Sequence, residues 1–324
     1  MDKIFTYVLR ADDLQSTAGG LVNLILKDRI HVTGHEISRA KFMPGGITAD
    51  GRSVTVKDRI APGQTLRLVL SDTASDTDKV PPVEGPITFL YEDEDIVVIN
   101  KSAGSVVHPT HGHHKDTLAN YLAWHYQSQG LDVSCRIAGR LDKETSGALV
   151  FAKNRATSGR LAAERRDQLF RRNYLTIVQG AFPDNKKEGH IDSPIEKAPD
   201  SLLKRQIAPT GCGDSALTNY EILGCVPYGS IGDGMITLLR VHIETGRTHQ
   251  IRVHMASIGH PLLGDTLYGG LGPESGGAPR ALLHAASVEF IQPFTKEEVK
   301  VTAPMPDDFT EKYSLFKLRD IDAI

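Results

Sequence analysis

Residues 71–86 read SDTASDTDKVPPVEGP, and this stretch constrains the chain more than any other. It is rich in Ser, Thr, Asp and Pro and nearly empty of large apolar side chains. Such a composition has nothing with which to build a core and reads as a linker. The 324 residues therefore divide into 1–70, the linker 71–86, and 87–324. No window approaches the roughly 18 apolar residues of a membrane helix. The apolar run from Ile4 to Leu9 is broken by Thr6 and is too short for a secretory leader. Cys135, Cys212 and Cys225 form no CxxC pair, so reduced thiols and a cytoplasmic location are expected.

The formal net charge of -3 hides an uneven distribution. Residues 1–70 carry ten Lys/Arg against seven acids, 71–95 one Lys against eight acids, and 136–172 ten Lys/Arg against four. Two basic stretches thus flank an acidic connector. A basic stretch suits a nucleic acid, although a solvated face is the commoner state.

Hydrophobic spacing predicts an α+β chain. In the first segment Leu21, Leu24 and Ile25 share a helix face. Asp50-Gly51 and Pro62-Gly63 mark turns, and Leu66, Leu68 and Leu70 alternate as a strand. In the second, strands are expected at Ile96–Asn100, Ala148–Ala152, Tyr174–Val178 and Met235–Ile243. Helices are expected from Asp116 or Thr117 to about Gly130, from about Ala156 to Leu169, and from about Thr248 to Gly259. Ile251, Met255 and Ile258 should bury the face of the last. No Rossmann or P-loop fingerprint is present.

Two strings concentrate chemistry. In GRLDKETSGALVFAK, residues 139–153, Asp142 lies in a turn-prone stretch entering an apolar strand, a rigid place for a reacting carboxylate. Thr145, Ser146 and Gly147 form an entry turn whose N–H groups could meet a ligand. The competing reading is a turn cap, with Arg140 pairing to Asp142 on the surface. In ETGRTHQIRVHMASIGHPLLGD, residues 244–265, Arg247, His249 and Arg252 gather at a helix start, where anions bind. An ordinary charged helix face is the alternative. In FRRNYLTIVQG, Tyr174 starts a strand and by itself reads as core or interface.

Together these strings resemble the RluA-type family of pseudouridine synthases. The stretches EDEDIVVINKSAGSVVHP, GRLDKETSGALVFAK, YLTIVQG, ETGRTHQIRVHMASIGHPLLGDTLYG and RALLHAASVEF carry the likeness, over roughly residues 88–305. The resemblance implies a catalytic domain with a mixed, mainly antiparallel β-sheet flanked by helices and loops. It implies Asp142 as catalytic carboxylate, Tyr174 as the active-site tyrosine, and Arg252 as the basic residue pairing with the aspartate. Arg140 would help open the RNA, with Arg247, His249, Thr145 and Ser146 as further substrate contacts. Departures stand at Gly139 (His in the family), Ser102 (Pro) and Arg172 (Lys). Residues 16–70 resemble the small S-four RNA-binding domain, with Arg39, Lys41 and Arg52 as expected RNA contacts.

The implied reaction breaks the bond from sugar to uracil nitrogen 1, turns the base and rejoins it through carbon 5. The proton lost from carbon 5 is balanced by one gained at nitrogen 1, so no atom enters or leaves overall and no metal or other cofactor is expected. The partner is structured RNA, ribosomal or transfer, bound by a monomer with no membrane association. The carboxylate either attacks the sugar or removes a proton from it. Three rival readings stand beside it: an RNA-binding assembly protein without catalysis, a glycosidase pairing Asp142 with Glu144, and a metal hydrolase using His108, His111, His113 and His114. The last loop lacks helical HExxH spacing and a nearby acidic ligand.

Overall fold

The computed structural model describes residues 2–71, 80–110, 112–201, 203–229 and 234–317. Most of the linker and His111 lie outside them. The N-terminal segment holds β1 (Lys3–Val8), α1 (Asp13–Ser16), α2 (Val22–Asp28), α3 (Gly34–Ala40), β2 (Ile47–Ala49), β3 (Arg52–Ser53) and β4 (Thr65–Leu70). Its four strands form one antiparallel sheet in the order β1-β4-β2-β3. The run from Ile4, expected to be too short for a leader, is the edge strand β1. Thr33 starts α3 with a capping box to Glu36. Val22, Ile25, Leu26, Ile47, Leu66 and Leu68 build a core of their own, against which Ala156 of the second segment also packs.

Residues 80–86 are not a free tether. Asn120 donates its side-chain amide to the Pro81 carbonyl, and Val83 N–H donates to Asn120 O. Gly85 lies flat on Tyr121, where a Cβ would come within 2.3 Å of the ring. The amide of one helical asparagine thus turns a linker-like sequence into a docked one.

Beyond it run β5 (Phe89–Glu92), β6 (Ile96–Lys101), α4 (Leu118–Ser128), β7 (Arg136–Ile137), β8 (Ser146–Ala152), α5 (Arg155–Arg166) and β9 (Arg171–Gln179). Then come β10 (Glu188–Asp192), β11 (Ile195–Lys197), β12 (Arg205–Ile207), β13 (Leu217–Pro227), β14 (Met235–Ile243), α6 (Gln250–Ser257), β15 (Leu283–Ile291), β16 (Glu298–Thr302) and α7 (Asp307–Tyr313). The main sheet runs β10-β13-β14-β9-β15-β8-β6-β5, with β16 on β15 and β7 on β8. Its pairs are antiparallel except β8 with β15. The fold is therefore a mixed, mainly antiparallel α+β architecture.

Both faces of the central strands are covered, which explains runs such as IVVI and ALVF in place of alternation. Val97, Ile99, Leu149 and Phe151 pack with Leu118 and Leu122 of α4 and Ile251 and Met255 of α6. Ile96, Val98, Ala148 and Val150 pack with Leu161 of α5 and Val288 of β15. Ile258, expected on the buried face of α6, is 38% exposed because the helix ends at Ser257. The parallel contact of β8 with β15 requires Gly147: φ is +113°, and a Cβ would meet the Ala285 carbonyl at 2.2 Å.

Next to that contact His284 is fully buried. Its Nε2 donates to Ala303 O at 3.2 Å and its Nδ1 accepts from Ser146 Oγ at 3.0 Å, the tautomer assigned from these partners. Burial pushes the imidazole down from 6.5 to about 4. Between those values the unfolded chain binds a proton that the folded chain does not. The stability carried by neutral His284 is therefore present above pH 6.5 and lost as pH falls through 4. The loss is on the order of 3 kcal/mol. His284→Gln is expected to show a shallower fall of melting temperature across this window than the wild type; parallel curves would refute it.

The two segments meet through α5. Arg160 donates to His31 O, Pro293 O and the Glu36 carboxylate, and its guanidinium lies 4.5 Å from the Phe294 ring. Lys3 pairs with Asp95 at 2.8 Å.

Candidate active site

Residues 138–145 form the loop that enters β8. Thr145 N–H donates to Asp142 O, closing a turn that lifts the Asp142 side chain out of the sheet end. A cleft of about 490 Å³ opens there. Tyr174 of β9, Leu283 of β15 and Ile251 of α6 contribute its apolar lining, and Arg165 and Arg166 of α5 stand on one side. The segment 244–247 stands on another, pinned by buried Gln250, whose side-chain oxygen accepts from Arg247 N–H and Thr245 Oγ1. Arg140, Arg165, Arg166, Arg172 and Arg247 line the cleft, against the acids Asp142 and Glu244. Five arginines against two acids give the cleft a positive balance that suits a polyanion, and the Asp142 carboxylate is part of its lining.

Asp142 is half-buried, and its carboxylate makes no hydrogen bond or ion pair among the described residues. The expected partner, Arg252, is engaged elsewhere. Its Nε and Nη2 each donate to Asp265 at 2.6 Å, a bidentate pair with both side chains buried. Arg252 follows Ile251 on α6 and points into the protein, where only a second buried charge can neutralise it. Burial opposes its charge, but Asp265, with the nearby Asp142 adding, holds its pKa above the ordinary value. Arg252 therefore acts on Asp142 through space while its fork belongs to Asp265.

Arg140, Asp142, Thr145, Tyr174 and Arg247, all singled out in the sequence, line this one cleft. His249 stands at the N-terminus of α6 with φ +57° and meets the Tyr268 hydroxyl at 2.9 Å. Burial lowers its pKa, against the pull of the neighbouring Asp142 carboxylate. Ser146 corrects the sequence reading: it is 2% exposed, its hydroxyl taken by His284 and Arg280, so its side chain cannot reach a substrate. The N–H of Thr145 is likewise spent on the turn. Glu144 does not line the cleft with Asp142, so the particular carboxylate pair read from the sequence is not brought together there. His113 pairs with Asp116 at 2.6 Å. Arg39, Lys41 and Arg52 lie on the N-terminal segment; Arg39 lines a second cleft against α5 that also includes Arg166.

Sequence reasoning missed Arg165 and Arg166, visible only as part of a basic stretch. It also missed Asp265 and Tyr268, which sit in the quoted HPLLGDTLYG string without an assigned role. Tyr268 packs its ring 5.1 Å from the Arg252 guanidinium, and its hydroxyl accepts from Arg205 N–H and shares a hydrogen bond with His249 Nδ1.

A mixed sheet carrying a carboxylate in an arginine-rich cleft defines an enzyme built for a phosphate polymer. Residues 95–257 match the family described as RNA pseudouridylate synthase. The chain belongs to the RNA pseudouridine synthase family and is an isomerase acting on RNA. It is 36% identical over 272 residues to an uncharacterized RNA pseudouridine synthase, YjbO, of Bacillus subtilis, covering 84% of this chain and 90% of the relative. It is 34% identical over 268 residues to the ribosomal large subunit pseudouridine synthase D of Nitrosomonas europaea, covering 81% and 74%. Among solved structures, human RNA pseudouridylate synthase domain containing 1 matches with a TM-score of 0.55 at 25% identity, over 70% of this chain and 86% of that one.

Proposed function

We propose that this chain isomerises specific uridines in structured ribosomal RNA, with Asp142 as the reacting carboxylate. The observation that carries the reading is the Asp142 carboxylate, without a hydrogen bond or ion pair among the described residues, in the lining of a cleft that also holds five arginines. The similarity to enzymes named for the large ribosomal subunit supports the substrate class. The target nucleotide flips out of its helix into the cleft, at a cost of a few kcal/mol. Arg140, Arg165, Arg166 and Arg247 hold its flanking phosphates. Tyr174 offers its ring face to the base and its hydroxyl for proton handling at carbon 5. Asp142 acts on the sugar, by attack or by proton removal, as the glycosidic bond breaks. Bond breaking and bond making stay within one nucleotide, so the chemistry is redox-neutral and calls for no cofactor.

The test supplies purified protein with transcripts labelled with tritium at uridine carbon 5. Release from ribosomal RNA fragments and none from transfer RNA is expected. Release from transfer RNA alone would move the substrate class, and release from neither would overturn the reading.

The N-terminal segment, resembling the S-four domain, adds affinity in this account. At the end of α3 Phe42 is 79% exposed with Lys41 Nζ 4.7 Å from its ring, an arrangement on which an unpaired base can stack. Arg39→Ala is expected to weaken RNA binding and make its salt dependence shallower by about one ion. Filter binding from low to physiological salt measures both, and an unchanged slope would remove Arg39 from the RNA face.

A further inference from the structure

The loop that carries Asp142 is held from beneath by its own carbonyl oxygens, and the donors are cations. Arg172 of β9 donates through Nη2 to Ala138 O at 2.9 Å and Gly139 O at 2.5 Å, and through Nη1 to Arg140 O at 3.3 Å. Lys101, at the end of β6, donates to Lys143 O at 2.8 Å, Thr145 O at 2.7 Å and Ser102 O at 3.0 Å. Arg280, just before β15, donates to Glu144 O at 3.0 Å. Within residues 138–145 the remaining carbonyl of Asp142 accepts from Thr145 N–H, so the described partners leave only Leu141 O.

These side chains are 0% (Lys101), 6% (Arg280) and 8% (Arg172) exposed. Among the described residues only Arg280 of the three has a carboxylate partner, Asp308 of α7, at 2.6 and 3.0 Å. Burying an ammonium or guanidinium without a counter-charge costs several kcal/mol, which carbonyl dipoles offset only in part. Above them lies a carboxylate with no direct partner. Burial pushes Lys101 down to about 7, yet three carbonyl acceptors call for three N–H groups, which only its ammonium form supplies. Gly139 fits the same arrangement: φ is +87°, and a Cβ there would approach Arg172 Nη2 to 3.0 Å.

We propose that Lys101, Arg172 and Arg280 are positioning residues for Asp142. They fix the loop by its backbone and supply positive charge from behind, leaving both carboxylate oxygens free for the sugar. The inference rests on Asp142 being the reacting group.

Lys101 and Arg280 do not line the cleft, so substitutions there act on the rate without removing an RNA contact. The experiment compares Lys101→Met, Arg280→Met and Arg280→Lys in three measurements: single-turnover tritium release at saturating RNA, Kd by filter binding, and thermal melting. Both Met variants are expected to lose about 10- to 100-fold in rate with Kd held within about twofold, since misplacing a reacting group by about 1 Å costs that much. Arg280→Lys, which keeps a donor and the charge, should recover most of the rate. A folded Met variant that melts lower yet reacts at the wild-type rate overturns the proposal, because the cations then serve stability alone. A change in Kd with no change in rate overturns it too. If Lys101→Met fails to fold, the Arg280 pair decides, since Asp308 is 29% exposed and can be hydrated. Asp142→Asn is measured alongside: if it is active, the reading of the site fails; if it is inactive while the Met variants run at full rate, only this inference fails.

Discussion

Asp142→Asn is expected to stop pseudouridine formation while leaving the fold and RNA affinity nearly unchanged. Asparagine has almost the same shape, and the Asp142 carboxylate makes no hydrogen bond or ion pair among the described residues, so little stability rests on it. The change in stability should stay below about 1 kcal/mol, as for a half-exposed charge. The rate should fall by at least 10²- to 10⁴-fold, the usual contribution of a positioned general base, and by more if the carboxylate is a nucleophile. Circular dichroism and melting report the fold, filter binding the affinity, and tritium release the chemistry. A variant that melts normally, binds RNA and keeps more than about a hundredth of the wild-type rate would remove Asp142 from the centre of the account.

The opposite balance is expected at Arg252→Gln. Here the side chain is 8% exposed and its partner Asp265 1% exposed, so the substitution strands a buried carboxylate. Breaking such a pair costs about 3–5 kcal/mol. The melting temperature should therefore drop steeply, and activity should fall with it because the charge near Asp142 is lost as well. A double-mutant cycle separates the partners. Arg252→Gln with Asp265→Asn should show a coupling of about 0.5–3 kcal/mol in stability, and Arg252→Gln with Asp142→Asn almost none. If the coupling instead lies with Asp142, the direct partner of Arg252 is Asp142 and the description of the site changes.

That partner exchange shows where sequence reading stops. The apolar runs at Ile96–Lys101 and Ser146–Ala152 and the cap at Thr117 announce their elements, because spacing and capping are local properties. Strand, loop and helix around Asp142, Tyr174 and Arg247 were legible for the same reason, and the family resemblance brought them to one site. Which acid Arg252 reaches is a tertiary fact: Asp265 lies 13 residues on, across the turn after α6, and both acids are present in the quoted strings. Ser146 reads as polar and available until β15 arrives with His284 beside it. Arg165 and Arg166 look like a solvated helix face, and only the packing of α5 against β8 and β15 turns that face into a cleft wall. Lys101, in the string VVINKS, gives no sign that its side chain is buried under the loop that carries Asp142.

The most direct measurement of the central claim is a map of pseudouridine across total RNA from cells that have lost this gene, complemented with either the wild type or Asp142→Asn. The account expects one or more ribosomal RNA positions to lose pseudouridine on deletion, to regain it with the wild-type chain, and to stay unmodified with Asp142→Asn. A map unchanged by deletion, or one restored equally by both chains, would contradict it.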